Sequence, residues 1–193
     1  MKSPFWRRWW ETVFGARRNR RAGDVAARQR VLRLESLEDR CLPSAMPFMV
    51  ADIARGPGSS GPTDLVAIGS TVYFVANDGD HGNELWKTNG TSAGTTMVAD
   101  IWPGGRSSYV TDLTNVNGTL FFAANDGVHG EQLWKSDGTT AGTTMVLDIA
   151  ANSYPGNLTN VNGTLFFSAN SYNGNELWKS DGTAAGTTMV ADI

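Results

Sequence analysis

A single cysteine, Cys41, means that no internal disulfide can staple this chain of 193 residues. Apolar residues never run on for the roughly 20 positions that a membrane-spanning helix needs. Positive charge is scarce where nucleic acid would require it. Residues 46–193 hold 5 Lys/Arg against 14 Asp/Glu, so no basic stripe crosses them. Only two histidines occur, and no glycine-rich phosphate loop. Apolar content, at 40%, lies somewhat below the globular norm, while glycine is plentiful at 22 residues. That pairing suits many short strands joined by tight turns.

Charge divides the chain near Pro43. Residues 1–45 carry 11 Arg/Lys against 5 Asp/Glu, the reverse of the balance in residues 46–193. The opening mixes Lys2, Arg7 and Arg8 with Phe5, Trp6, Trp9 and Trp10, a composition suited to a lipid interface. An ordinary secretory or twin-arginine signal needs an apolar core of about 7–15 residues, and none is present after these residues. Residues 17–33 are rich in Arg and Ala; their charge density predicts a segment partly helical or disordered in isolation.

Residues 47–193 are built on one repeated stretch. Glu84-Leu85-Trp86-Lys87-Thr88-Asn89-Gly90-Thr91 runs on to Ile101. It returns from Gln132 to Ile149 and from Glu176 to Ile193, the Ile standing 15 positions after the Trp each time. Each repeat reads as four strands. The first has Leu65–Ile68, Thr71–Ala76, Glu84–Lys87 and Thr95–Ile101. The second has Leu113–Val116, Thr119–Ala124, Gln132–Lys135 and Thr143–Ile149. The third has Leu158–Val161, Thr164–Ala169, Glu176–Lys179 and Thr187–Ile193. Asn117-Gly118 and Asn162-Gly163 are two-residue hairpin signals, because both central positions of that turn need positive φ. Residues 47–53 copy the end of a repeat and are expected to form a repeat's final strand.

The predicted organisation is thus a basic segment over 1–45 and an all-β repeat domain over 46–193. Within the domain lie a partial repeat at 47–53 and full repeats at about 63–101, 111–149 and 156–193. Trp86 to Trp134 spans 48 residues and Trp134 to Trp178 spans 44, the shortening falling in loops. Four antiparallel strands per repeat of this length predict the blades of a β-propeller. Tyr73-Phe74, Phe121-Phe122 and Phe166-Phe167 place aromatics on both faces of each sheet, as sandwiching between neighbours demands. Three repeats make a partial ring, since propellers start at about four blades. The chain is therefore expected to be a fragment, or to complete a ring by self-association; an open stacked array is the alternative.

Two resemblances bear on function. Leu34-Glu35-Ser36-Leu37-Glu38-Asp39-Arg40, with Leu42 and Ser44 after it, resembles the short N-terminal motif of planctomycete-type surface and secreted proteins. That resemblance implies sorting to the cell exterior; the plainer reading is a solvated linker. The repeats share their layout with kelch repeats but lack the paired glycine. They more closely resemble the Glu-Leu-Trp-x-x-Asp-Gly-Thr repeats of large bacterial proteins, especially from planctomycetes and myxobacteria. Together these imply an exported or cell-surface protein.

Candidate chemistry is sparse. Trp86, Trp134 and Trp178 could stack on carbohydrate, though their identical register favours packing between sheets. Asp78, Asp80 and Glu84 offer oxygen ligands suited to calcium, but the loop misses the EF-hand pattern and loses its acids by the third repeat. His81 and His129 share a position with no evident triad or metal partner. Asp137 and Asp181, with Asn89 in their place in the first repeat, read as turn residues. No catalytic, metal or cofactor residues are assigned on this pattern. The expected function is a non-enzymatic structural or adhesive binding module for an unknown protein or carbohydrate partner, engaged through loops 54–63, 102–112 and 150–157. The alternatives are part of a propeller hydrolase or lyase with its active site elsewhere, and a calcium-dependent adhesion module.

Overall fold

A computed structural model describes residues 47–54, 56–172 and 174–192. The readings made on residues 1–45, the sorting motif and helix among them, lie outside this range. The described residues form twelve strands in three antiparallel sheets of four, with no helix among them. Sheet one holds β1 (Thr63–Ile68), β2 (Thr71–Asn77), β3 (Asn83–Thr88) and β4 (Thr96–Ala99). Sheet two holds β5 (Thr111–Val116), β6 (Thr119–Asn125), β7 (Glu131–Ser136) and β8 (Thr144–Leu147). Sheet three holds β9 (Gly156–Val161), β10 (Thr164–Ser171), β11 (Gly174–Ser180) and β12 (Thr188–Ala191). Each sheet keeps its strands in chain order, so every connection within it is a hairpin. The sheets approach one another chiefly through their first strands, β1 beside β5 and β5 beside β9. They do not close into a ring.

Three differences from the expected strands have physical causes. Each first strand begins two residues early, with a bulge at Asp64, Asp112 and Asn157, whose φ values are 52°, 57° and 56°. Asp and Asn tolerate this left-handed conformation better than most side chains. Thr63, Thr111, Asp112, Gly156 and Asn157 therefore belong to strands, not to the flanking loops. Each last strand stops short of its Asp and Ile. In repeat one the Ile101 N–H leaves the ladder and donates to the Glu84 carboxylate, 2.9 Å away. Residues 47–53 form no strand: no strand among the described residues pairs with them, and an unpaired strand leaves its backbone groups unsatisfied. Only Ile53 of that segment packs inward, against Phe74, Ala76 and Trp86.

The core lies between sheets. Tyr73, Val75 and Leu85 from sheet one pack with Leu113, Leu120, Phe122 and Ala124 from sheet two. Phe121, Leu133 and Val146 from the other face of sheet two pack with Leu165, Phe167 and Ala169. The alternation along each strand thus feeds two interfaces. Tyr73 points toward the next repeat and Phe74 toward the preceding side. The hairpins follow the expected chemistry, with Asn117 and Gly118 at φ 52° and 89°. Gly82 is required for a different reason. A side chain there would press within 2.5 Å of the Arg106 backbone, where the β2–β3 hairpin meets the loop to sheet two.

Candidate functional site

Two sets of polar residues recur at the joints between repeats. The first is the position of Glu84, Gln132 and Glu176. Period-two alternation puts Glu84 on the same side as Trp86, inside the protein, and it is fully buried. Its Oε2 accepts from Ile101 N and its Oε1 accepts from Ser108 N at 3.0 Å. One carboxylate therefore ties down both ends of the loop leading to repeat two. Burial pushes Glu84 up to about 7 against the stabilising pull of these N–H groups, and the charge on Asp100 pushes the same way as burial. Oδ1 of Asp100 is itself buried without a hydrogen-bond partner.

Gln132 does the same work without charge. Its Oε1 accepts from Ile149 N at 3.3 Å and from Ser153 Oγ at 2.7 Å. Its Nε2 donates to Ala150 O at 2.6 Å and to Asp148 Oδ1 at 3.1 Å. Asp148 is the counterpart of Asp100, so the amide supplies the donor that Asp100 lacks. Both Glu84 oxygens are thus taken up by backbone N–H groups inside the protein. Among the described residues no group of three or more His, Cys, Asp or Glu side chains is placed to hold a metal ion.

The second set is Lys87, Lys135 and the Asp-Gly-Thr turns. Lys87 Nζ donates to Gly138 O at 2.8 Å in the next repeat, and Lys135 Nζ donates to Gly182 O at 2.7 Å. The turn presenting each carbonyl is held rigid. Asp137 Oδ1 accepts from Thr139 N and Oγ1, and Asp181 repeats this with Thr183. Asn89 makes the same pair of bonds with Thr91, so a carboxylate is not needed. These hydrogen bonds hold Asp137 and Asp181 below the usual carboxylate range. Lys135→Met is expected to cost about 1–2 kcal/mol, because the charge-assisted bond to the buried Gly182 is lost. Urea unfolding of the variant beside wild type checks this.

The sequence reading missed a partner for the histidines. His81 Nδ1 lies 2.7 Å from Asp78 Oδ2, and His129 Nδ1 lies 2.6 Å from Asp126 Oδ2. The signal is the Asp-Gly-x-His spacing, which a tight turn folds back on itself. Asp78 also accepts from the backbone N–H of Asp80 and His81, closing the tip. Burial raises Asp78, but the hydrogen bonds from His81 and the backbone outweigh it and hold the carboxyl low. The hydrogen bond that His81 donates to Asp78 raises the histidine, and Asp126 does the same for His129. Both histidines should titrate above the usual imidazole value in an NMR pH series, and Asp126→Asn should return His129 toward it.

Trp134 and Trp178 pack against the clusters between sheets, and Trp178 stacks on Phe167 of its own sheet at 6.4 Å between ring centroids; Trp86 packs within its own sheet, with Phe74 and Ala76, and not between sheets. In all three the indole nitrogen is buried without a hydrogen-bond acceptor. No protein-family model matches this chain, and neither does a curated protein or a solved structure.

One exposed constellation joins Trp102 and Arg106, which the next inter-repeat loop lacks, to Tyr109, which recurs there as Tyr154. In the loop between β4 and β5 the Arg106 guanidinium stands 5.5 Å from the Trp102 ring centroid. Tyr109 tilts against the same ring at 6.4 Å and is 62% exposed. Trp102 in turn lies over Gly127 of the next hairpin, where a side chain would collide with the indole.

Proposed function

We propose that the three sheets are blades of a β-propeller-type assembly and that the chain acts as an exported, non-enzymatic binding module at the cell surface. The approach of the sheets through their first strands supports the blade reading, because blades converge that way on a common axis. The placement at the cell surface rests on the resemblance of residues 34–44 to a sorting motif and of the repeats to those of large exported bacterial proteins.

One contrast carries the binding reading. The polar residues that recur from repeat to repeat hold the joints. Glu84 and Gln132 bind connecting loops, the lysines bind the next turn, and Asn89, Asp137 and Asp181 brace those turns. The Trp102 and Arg106 pair occurs once, and the Tyr109 ring beside it is open to solvent. Aromatic rings flanked by a guanidinium offer stacking and donors together, which suits a sugar or a polar protein surface.

Co-sedimentation of the full chain with insoluble polysaccharides and with peptidoglycan tests the carbohydrate form of this reading. Retention should fall about tenfold or more for the Trp102→Ala, Tyr109→Ala double variant, the loss of about 1.4 kcal/mol or more of binding. Retention unchanged after replacing that loop together with loops 54–63 and 150–157 would overturn the placement of the site. Failure of wild type to bind any of these polymers would turn the search to protein partners.

A further inference from the structure

The joint between repeats one and two is formed from two complementary halves, and each half recurs uncovered at one end of the array. The leading half is a groove lined by Thr71, Lys87, Thr88 and Thr96, roofed by Gly138 of the following repeat. Repeat three carries the same groove, lined by Thr164, Lys179, Ser180 and Thr188, without a roof. The apolar positions around it show the difference. Leu177 is 40% exposed, whereas its counterparts Leu85 and Leu133 are fully buried. Val190 is 46% exposed, against 3% for Val98 and 7% for Val146. Lys87 and Lys135 are half-buried on their carbonyl acceptors, and Lys179 is exposed.

The trailing half stands uncovered on repeat one. Gly90 has φ 86°, matching Gly138 at 87° and Gly182 at 90°, so its turn presents the same carbonyl. Gly138 lies against Tyr73 and Gly182 against Phe121, but nothing lies within 4 Å of the Cβ position of Gly90. Thr140 adds a second bond at the first joint, donating from Oγ1 to Val98 O at 2.7 Å. Ser92 holds that position in repeat one and keeps a hydroxyl, and Val190 is the counterpart of Val98 in repeat three. Leu65 is 66% exposed where Leu113 is 8%.

We infer that the free face of repeat three takes the repeat-one side of a second copy of this chain, head to tail. Lys179 Nζ donates to Gly90 O of the other copy, and Ser92 Oγ donates to Val190 O. Leu65 covers Leu177 as Leu113 and Leu85 share one core in the internal joint. Residues 49–53 repeat the Met-Val-Ala-Asp-Ile of 189–193, and Ile53 already sits against Trp86. One copy of that pentapeptide, from either chain, fills the place in the new joint. The contact is heterologous, so it closes a ring if the rotation permits and extends as a filament otherwise. The inference rests on the internal joints and is independent of any ligand at Trp102.

The test is light scattering of the full chain across a dilution series, with two variants at exposed positions, Lys179→Glu and Ser92→Arg. Wild type should reach at least twice the 20.7 kDa of one chain. Each variant alone should weaken association about tenfold or more, the loss of one charge-assisted bond or one hydroxyl bond plus a steric block. Each variant retains one intact half, so an equimolar mixture should form a dimer and stop there. A two-fold symmetric contact, or one made through residues 1–45, would not give that mixture result. Wild type remaining monomeric throughout, or variants with unchanged mass, would overturn the inference; unaltered circular dichroism of both variants shows that they fold.

Discussion

Glu84→Gln is expected to stabilise the protein at pH 8 and to abolish a fall in stability between about pH 4.5 and 7. The carboxyl has an ordinary value of 4.5 and stands at about 7 in the fold, chiefly because it is buried. The folded state therefore holds its proton where the unfolded chain has released it. Stability from this group is full below pH 4.5, declines as pH rises to about 7, and is flat beyond. The size is about 3 kcal/mol, from 1.36 kcal/mol for each pH unit. Glutamine removes the titration. It also has a working precedent, because Gln132 fills the same place and gives Asp148 the donor that Asp100 lacks. Ser108 N keeps Asn83 O as an acceptor at 3.1 Å when the carboxylate is gone. Denaturant midpoints at pH 5 and pH 8 decide the matter. Equal slopes for wild type and variant would show that Glu84 stays charged in the fold.

Phe122→Ala should cost about 3–5 kcal/mol, the upper range for truncating a buried side chain. The ring is fully buried and sits where sheet one meets sheet two, among Tyr73, Leu85, Val98 and Leu120. Repeat arrays are held by neighbour-to-neighbour contacts, so the loss falls on the joint as well as on repeat two. Thermal unfolding followed at tyrosine and tryptophan should show repeat one melting apart from the other two. A single transition with an unchanged midpoint would mean that the cavity has closed by local collapse.

Much of this was legible in the sequence, and the parts that were not have common causes. Hairpin positions such as Asn117-Gly118 followed from backbone geometry alone, and the twelve strands from repetition and alternation. The burial of Glu84 was available too, since it lies two residues from Trp86 and is replaced by Gln in repeat two. An exchange that drops the charge and keeps the oxygen marks a hydrogen-bonding role. The segment 47–53 copies a strand's sequence, but pairing needs a neighbour that sequence similarity does not supply. The histidine partners were hidden in a turn, where three residues of separation bring side chains together. The group of Trp102, Arg106 and Tyr109 needed the loop's path, which no periodicity describes.

The lysine contacts point one way along the chain. Each donor belongs to the earlier repeat and each acceptor to the later one, 51 residues on for Lys87 and 47 for Lys135. On the ribosome the amino-terminal repeat emerges first and can fold while the next is still being made. Each new Asp-Gly-Thr turn then meets a finished template, and the array grows in the direction of translation, as a wall is laid course upon course.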